Sequence, residues 1–173
     1  MKGDWIQTYK GKKFYPLDPR PEDICIEDIA HALANTCRYN GHSRVFYSVA
    51  EHCVRMSEAN LSGSPQWFLM HDAAEAYISD VPRPIKPMLK EFKDIENHIM
   101  TVVALKFKLE YPDYFAIRYA DNVMLATEKR DLLLPYPQWG IELPEPLPIQ
   151  INPWPSEMAE RLFLKRAKEL NII

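Results

Sequence analysis

Apolar residues recur at three- and four-residue intervals along most of the chain, and that period predicts a protein built of helices. In residues 26 to 37 (IEDIAHALANTC), Ile26, Ile29, Ala30, Leu33 and Cys37 share a face, with Glu27 and Asp28 near the start, where the helix dipole favours acids. The second helix has the clearest beginning. Ser48-Val49-Ala50-Glu51 is a capping box, and Val49, His52, Cys53 and Met56 follow at i, i+3, i+4 and i+7. Ser64 and Pro65 open a third helix as N-cap and first-turn proline. Its apolar positions Trp67, Leu69, Met70, Ala73, Ala74, Tyr77 and Ile78 run to the stop at Asp80-Val81-Pro82. A fourth helix is predicted from about Met88 to Leu109, on the stripe Met88, Phe92, Ile95, Ile99, Val102 and Val103. A fifth begins near Asp113 and ends before Pro135, with Ile117, Met124, Leu125 and Leu132 in line. The last is capped by Ser156 and carries Met158, Leu162 and Leu164.

The exceptions to this period are local. Residues 4 to 20 alternate aromatic or β-branched with polar residues on both sides of Lys10-Gly11, which predicts a short hairpin ended by Pro16, Pro19 and Pro21. Asn40-Gly41 marks a turn between the first two helices. Residues 135 to 155 hold seven of the fifteen prolines, so an ordered loop along the surface is expected there, pinned by Trp139 and Trp154. No linker composition divides the chain. The expectation is one all-α domain over residues 1–173, with β structure confined to its start.

Composition narrows the function classes. With 173 residues, 47% hydrophobic and 26% charged, the chain buries a core without disulfides or other staples. A net charge of −3 gives no basic footprint, which argues against duplex nucleic acid as a partner. The first residues (MKGDWIQTYKGKK) lack the apolar core of a signal peptide, and no apolar run approaches membrane-spanning length, so a cytoplasmic protein off the membrane is expected. Cys25, Cys37 and Cys53 are odd in number and widely spaced, as reduced, packed thiols are.

Candidate chemistry comes from polar residues in apolar stripes. His52 lies in the second helix's stripe, and the adjacent His71 and Asp72 lie in the third. Asp121 falls in the fifth, four residues after Ile117 and three before Met124. Glu75 is four residues past His71 and three past Asp72, so the three crowd one side of a helix. A buried aspartate is costly unless paired or coordinated. Two imidazoles and two carboxylates turned inward suit a divalent cation, and the mixed N/O set favours Mn, Co, Fe, Ni or Zn over Ca. Such an ion polarises a phosphoryl oxygen and lowers the pKa of a bound water, and Glu75 is spaced to take its proton. Asp80, at the helix stop, is spaced to orient that water or a ribose hydroxyl. The structural alternative is that the histidines are hydrogen-bonded core residues and that Asp121 pairs with Arg118 or Arg44. His31 and His98 read as ordinary helix histidines, and Tyr39, Tyr47 and Trp67 as core aromatics rather than base-stacking ones.

His52, then His71-Asp72, then Asp121, each on its own helix, resembles the H…HD…D signature of the HD-domain metal-dependent phosphohydrolases. HDAAE followed by SDVPRPIK is similar to the nucleotide-hydrolysing branch that includes the bacterial 5′-deoxynucleotidases. The run DPRPEDICIEDIAHALANTCRYNGHSRVFYSVAEHC looks like a phage and prophage version of that branch. The resemblance covers about residues 12 to 131 and the Trp154-Pro155 entry to the last helix. It implies an HD-domain helical bundle with His52, His71, Asp72 and Asp121 as metal ligands and Glu75 as general acid/base. It also implies Asp80 beside the sugar or attacking water, and Lys86, Arg118 and, more loosely, Arg38 on phosphate. No second histidine pair follows, so the resemblance implies one transition metal per chain (Mn, Co, Zn, Fe or Ni), with Mg as a further ion at substrate phosphates. The implied activity is hydrolysis of small deoxynucleotides, either a 5′-deoxynucleotidase on dNMPs or a dNTP triphosphohydrolase of the dATP-selective kind. A hydrolase of a signalling nucleotide and a non-catalytic nucleotide-binding protein are the alternatives. Relatives of this kind self-associate, so a homo-oligomer is expected.

Overall fold

The computed structural model describes residues 3–173; Met1 and Lys2, part of the stretch read as lacking a leader, lie outside the described residues. A two-stranded antiparallel hairpin, β1 (Ile6–Gln7) and β2 (Lys13–Phe14), precedes α1 (Ile26–Asn35), α2 (Val49–Glu58), α3 (Pro65–Met70), α4 (Glu75–Ile78), α5 (Lys90–Phe107), α6 (Tyr114–Leu132) and α7 (Ser156–Glu169). The all-α expectation and the hairpin are both observed. Gly11 takes φ +76° in the hairpin turn, a conformation costly for a residue with a Cβ. No helix among the described residues is long and apolar enough to cross a membrane.

Helix α2 is the axis of the bundle. It packs against α1, α3, α6 and α7, and from Val49 to Met56 only Arg55 escapes burial. On one side lies a core of Ile29, Leu33, Val49, Cys53, Leu69, Met70, Val103 and Phe163. On the other, Met56 and Phe68 meet Tyr47, Val123, Met124 and Leu132 beneath α6. His52 therefore sits at the centre of the molecule, on a helix with almost no solvent face rather than on the half-buried stripe its spacing suggests.

The start of α2 is fixed as the capping box predicts, but only by half of it. Ser48 Oγ accepts from the Glu51 N–H at 3.1 Å. The Glu51 carboxylate does not return to Ser48. It accepts instead from Arg55 Nε and, 103 residues away, from the Trp154 N–H, both at 2.8 Å. This buried acid holds the proline-rich segment onto the body, and α6 supplies further anchors. Leu147 N–H donates to Thr127 Oγ1 and Ile151 N–H to Asp131 Oδ2. The two tryptophans serve as expected, Trp154 lying under the Arg55 guanidinium and Trp139 under the Lys129 ammonium.

Three local expectations need correction. The third helix is not continuous. Ala73 N–H bonds to the Met70 carbonyl and Glu75 N–H to that of Asp72, i→i+3 contacts that tighten residues 71–74 and separate α3 from α4. His71 Nδ1 lies 3.0 Å from the Phe68 carbonyl, the group an α-helical Asp72 N–H would use, so the imidazole competes with the regular ladder. Ser156 is the first residue of α7, not its cap. The buried face of α7 is Ala159, Phe163 and Ala167, whereas Met158 is exposed and Leu162 and Leu164 only flank the core. Two alanines on that face let α7 lie close against α1 and α2, a packing choice that leucine spacing does not reveal.

Candidate metal centre

Four side chains from three places in the chain converge at the middle of α2. His52 Nε2 lies 3.4 Å from His71 Nε2 and 3.4 Å from Asp121 Oδ1. His71 Nε2 lies 3.2 Å from Asp72 Oδ2. The ligand atoms of His52, His71 and Asp72 all fall within 4.8 Å of one another, and Asp121 stands at the edge of that group through its contact with His52. Helix α2 supplies His52, the tightened turn after α3 supplies the His-Asp pair, and α6 brings Asp121 across.

The outer nitrogens explain the inner ones. His52 Nδ1 is 2.6 Å from Glu128 Oε1, and His71 Nδ1 is 3.0 Å from the Phe68 carbonyl. An imidazole whose Nδ1–H donates outward in this way turns its Nε2 inward, and in the neutral ring that Nε2 is a free lone pair. The two Nε2 atoms then face each other and two carboxylates. Donors about 2.1 Å from a common ion stand roughly 3.0 to 3.4 Å apart at octahedral or tetrahedral angles. The 3.4 Å between His52 and His71 and the 3.2 Å between His71 and Asp72 match that spacing, so His52, His71 and Asp72 form a cluster able to hold a metal ion.

Glu128 escapes the sequence reading, which stopped at Asp121. It lies seven residues further along α6, two turns on the same face, and is fully buried. Besides His52 it accepts from Arg38 Nε at 3.2 Å and the Tyr39 hydroxyl at 2.5 Å. Arg38 is brought in by a short antiparallel bridge, its N–H on the Tyr47 carbonyl, followed by left-handed Tyr39, Asn40 and Gly41. Its guanidinium reaches within 3.8 Å of Asp72 and 4.0 Å of Asp121, so one buried cation ties the acids together. Burial opposes ionisation here, yet Arg38 and His52 hold the Glu128 carboxyl down at about 2. Asp72 likewise sits far below the usual carboxylate range despite burial, held there by His71, His52 and Arg38. Burial also pulls His71 down, but Asp72 and Cys53 overcome it and leave the imidazole well above its ordinary value.

Glu75 occupies a different environment. It is 5% exposed, and burial, with the Asp72 and Asp80 charges, pushes its carboxyl up to about 9. One oxygen, Oε1, is 3.4 Å from Lys86 Nζ, while Oε2 is buried with no hydrogen-bond partner. Lys86 Nζ also contacts Glu96 Oε1 at 3.1 Å. Asp80 makes no direct bond to the cluster among the described residues and acts on Glu75 through its charge. Arg118 is exposed on α6, one turn before Asp121, with no ion-pair partner among the described residues. Asp121 pairs with neither Arg118 nor Arg44; its Oδ2 accepts from Arg83 Nη2 at 2.8 Å, an arginine the sequence reading did not single out. Neither His31 nor His98 belongs to the cluster, and His31 stacks on Tyr9 and bonds to Glu160.

No family model matches the chain. It is 45% identical over 132 residues to the uncharacterized protein YfdR of Escherichia coli K12, a match covering 74% of this chain and 72% of YfdR. It is 34% identical over 146 residues to the uncharacterized protein RCAP_rcc00048 of Rhodobacter capsulatus, covering 76% and 74% of the two chains. At that identity and coverage, the chain belongs to the family that includes YfdR and its Rhodobacter relative.

Proposed function

We propose that this protein is a divalent-metal-dependent phosphohydrolase of the HD-domain kind, acting on phosphate esters of small nucleotides, deoxynucleotides in particular. The observation that carries the reading is the pair of imidazole Nε2 atoms 3.4 Å apart, each with its Nδ1 bound outward. His52, His71, Asp72 and Asp121 would hold one ion, of Mn, Co, Zn, Fe or Ni. When bound, the ion supplies Lewis-acid polarisation of a phosphoryl oxygen and a lowered pKa for water.

The chain's own residues account for the remaining needs of such a reaction. Glu75 is the acid/base: its Oε2 is buried, unpartnered and able to hold a proton, since burial and neighbouring acids raise its carboxyl to about 9. Lys86, Arg38 and Arg118 supply positive charge for the phosphate, and Lys86 Nζ links that charge to Glu75 Oε1. Asp80 orients the attacking water or a sugar hydroxyl. The substrate is a free nucleotide, mono- or triphosphate, met in the cytoplasm by a homo-oligomer.

The test is a panel of dNMPs and dNTPs with Mn, Co, Zn, Fe, Ni or Mg, scored for released phosphate, pyrophosphate or triphosphate, alongside Asp72→Ala. Metal-dependent release by the native protein, lost together with bound metal in Asp72→Ala, is the expected result. Full activity in a metal-free Asp72→Ala protein would refute it.

A further inference from the structure

We propose that Arg83 is a phosphate-binding residue of this site, held by Asp121 until a cation engages that carboxylate; the inference rests on the phosphohydrolase reading above. The residue lies in the turn Pro82-Arg83-Pro84-Ile85, closed by the Ile85 N–H on the Pro82 carbonyl at 3.0 Å, with a proline on each side of Arg83. Arg83 Nη2 is 2.8 Å from Asp121 Oδ2 and Nη1 is 3.2 Å from Asn122 Oδ1. Asp121 Oδ1 meanwhile faces His52 Nε2. A single carboxylate is thus shared between the cluster and a cation on the solvent side.

Two of the site's other cations are more firmly committed. Arg38 is buried between Glu128, Asp72 and Asp121, and Lys86 is engaged by Glu75 and Glu96. The Arg83 side chain is 58% exposed, and ion pairs at such exposure are weak. A divalent ion drawing on Asp121 weakens the pair further, both by taking the carboxylate's charge and by repelling the guanidinium. Arg83 is then the planar fork free to turn from a carboxylate to the similar oxygen pair of a phosphate. Arg118, exposed one turn before Asp121, adds charge on the same helix.

The experiment is calorimetric titration of inorganic phosphate into the Mn²⁺-loaded and the metal-free protein, for wild type, Arg83→Ala and Arg83→Lys, with Mn²⁺ affinity measured separately. Phosphate is expected to bind the loaded wild type on the order of tenfold or more tightly than loaded Arg83→Ala, with Arg83→Lys between, since it keeps the charge and loses the fork. Equal phosphate affinity in loaded wild type and Arg83→Ala would overturn the proposal alone. A loss of Mn²⁺ affinity in Arg83→Ala as large as its loss of phosphate affinity would make Arg83 a support for Asp121, overturning it as well. Failure of the wild type to retain any divalent ion would sink the metal reading, and this inference with it.

Discussion

Glu128 gives the sharpest test of how the site is held. Replacing it with alanine leaves Arg38 buried beside its more distant partners Asp72 and Asp121, and deprives His52 Nδ1 and the Tyr39 hydroxyl of their acceptor. Removing one member of a buried ion pair costs about 3 to 5 kcal/mol. Its depressed ionisation points the same way. The carboxyl is held at about 2 against an ordinary value of 4.5, and at about 1.4 kcal/mol per unit that is roughly 3 kcal/mol. Glu128→Ala is therefore expected to lower the urea-unfolding free energy of the chelator-treated protein by about 3 to 5 kcal/mol at pH 7. The sign with pH follows from a folded-state pKa below the unfolded one. The contribution is present in full above about pH 4.5 and is lost as pH falls toward 2, so wild type and mutant converge in stability through that window. Metal affinity, measured separately, should fall about 10- to 100-fold, the usual worth of a carboxylate behind a ligating histidine. A stability loss under about 1 kcal/mol, or a gap between the two proteins that does not narrow in acid, would refute the account.

Glu75→Ala is expected to retain metal and lose on the order of 10²-fold or more in turnover of whichever nucleotide the wild type hydrolyses, by steady-state kinetics; an undiminished rate would remove it from proton transfer. Saturating the chelator-treated protein with Mn²⁺ at about 100 times its dissociation constant should add about 2.7 kcal/mol and raise the thermal midpoint by roughly 5 to 10 °C, with Asp72→Ala giving no rise. Gly63→Ala tests packing away from the site. Gly63 has φ +135°, and an added Cβ would lie 2.6 Å from Phe68 Cζ and 3.0 Å from Ala116 Cβ. A loss of about 1 to 3 kcal/mol in urea unfolding is expected; a neutral change would mean α3 and α6 separate easily there.

What the sequence determined by itself was local: the period of the apolar residues, the caps and the breakers. Ser48 and Ser64 fix the starts of α2 and α3, Asp113 starts α6 by accepting from the Phe115 and Ala116 N–H groups, and Lys10-Gly11 turns the hairpin. These depend on atoms a few residues apart, so the order of letters carries them. The inward polar residues were legible too, because a histidine or an aspartate in an apolar stripe is a local contradiction that only a distant partner resolves. The identity of the partner was not legible. Glu128 meets His52 across 76 residues, Glu51 meets Trp154 across 103, and Arg83 meets Asp121 across 38. Hydrogen-bond competition at Phe68 broke a helix that propensity would have continued, and the alanines of α7 overrode its leucines. Such outcomes depend on which faces meet at close packing and on which charge is left to neutralise which. Only the folded chain brings those groups within range, so tertiary structure alone decided how the acids of this site are paired.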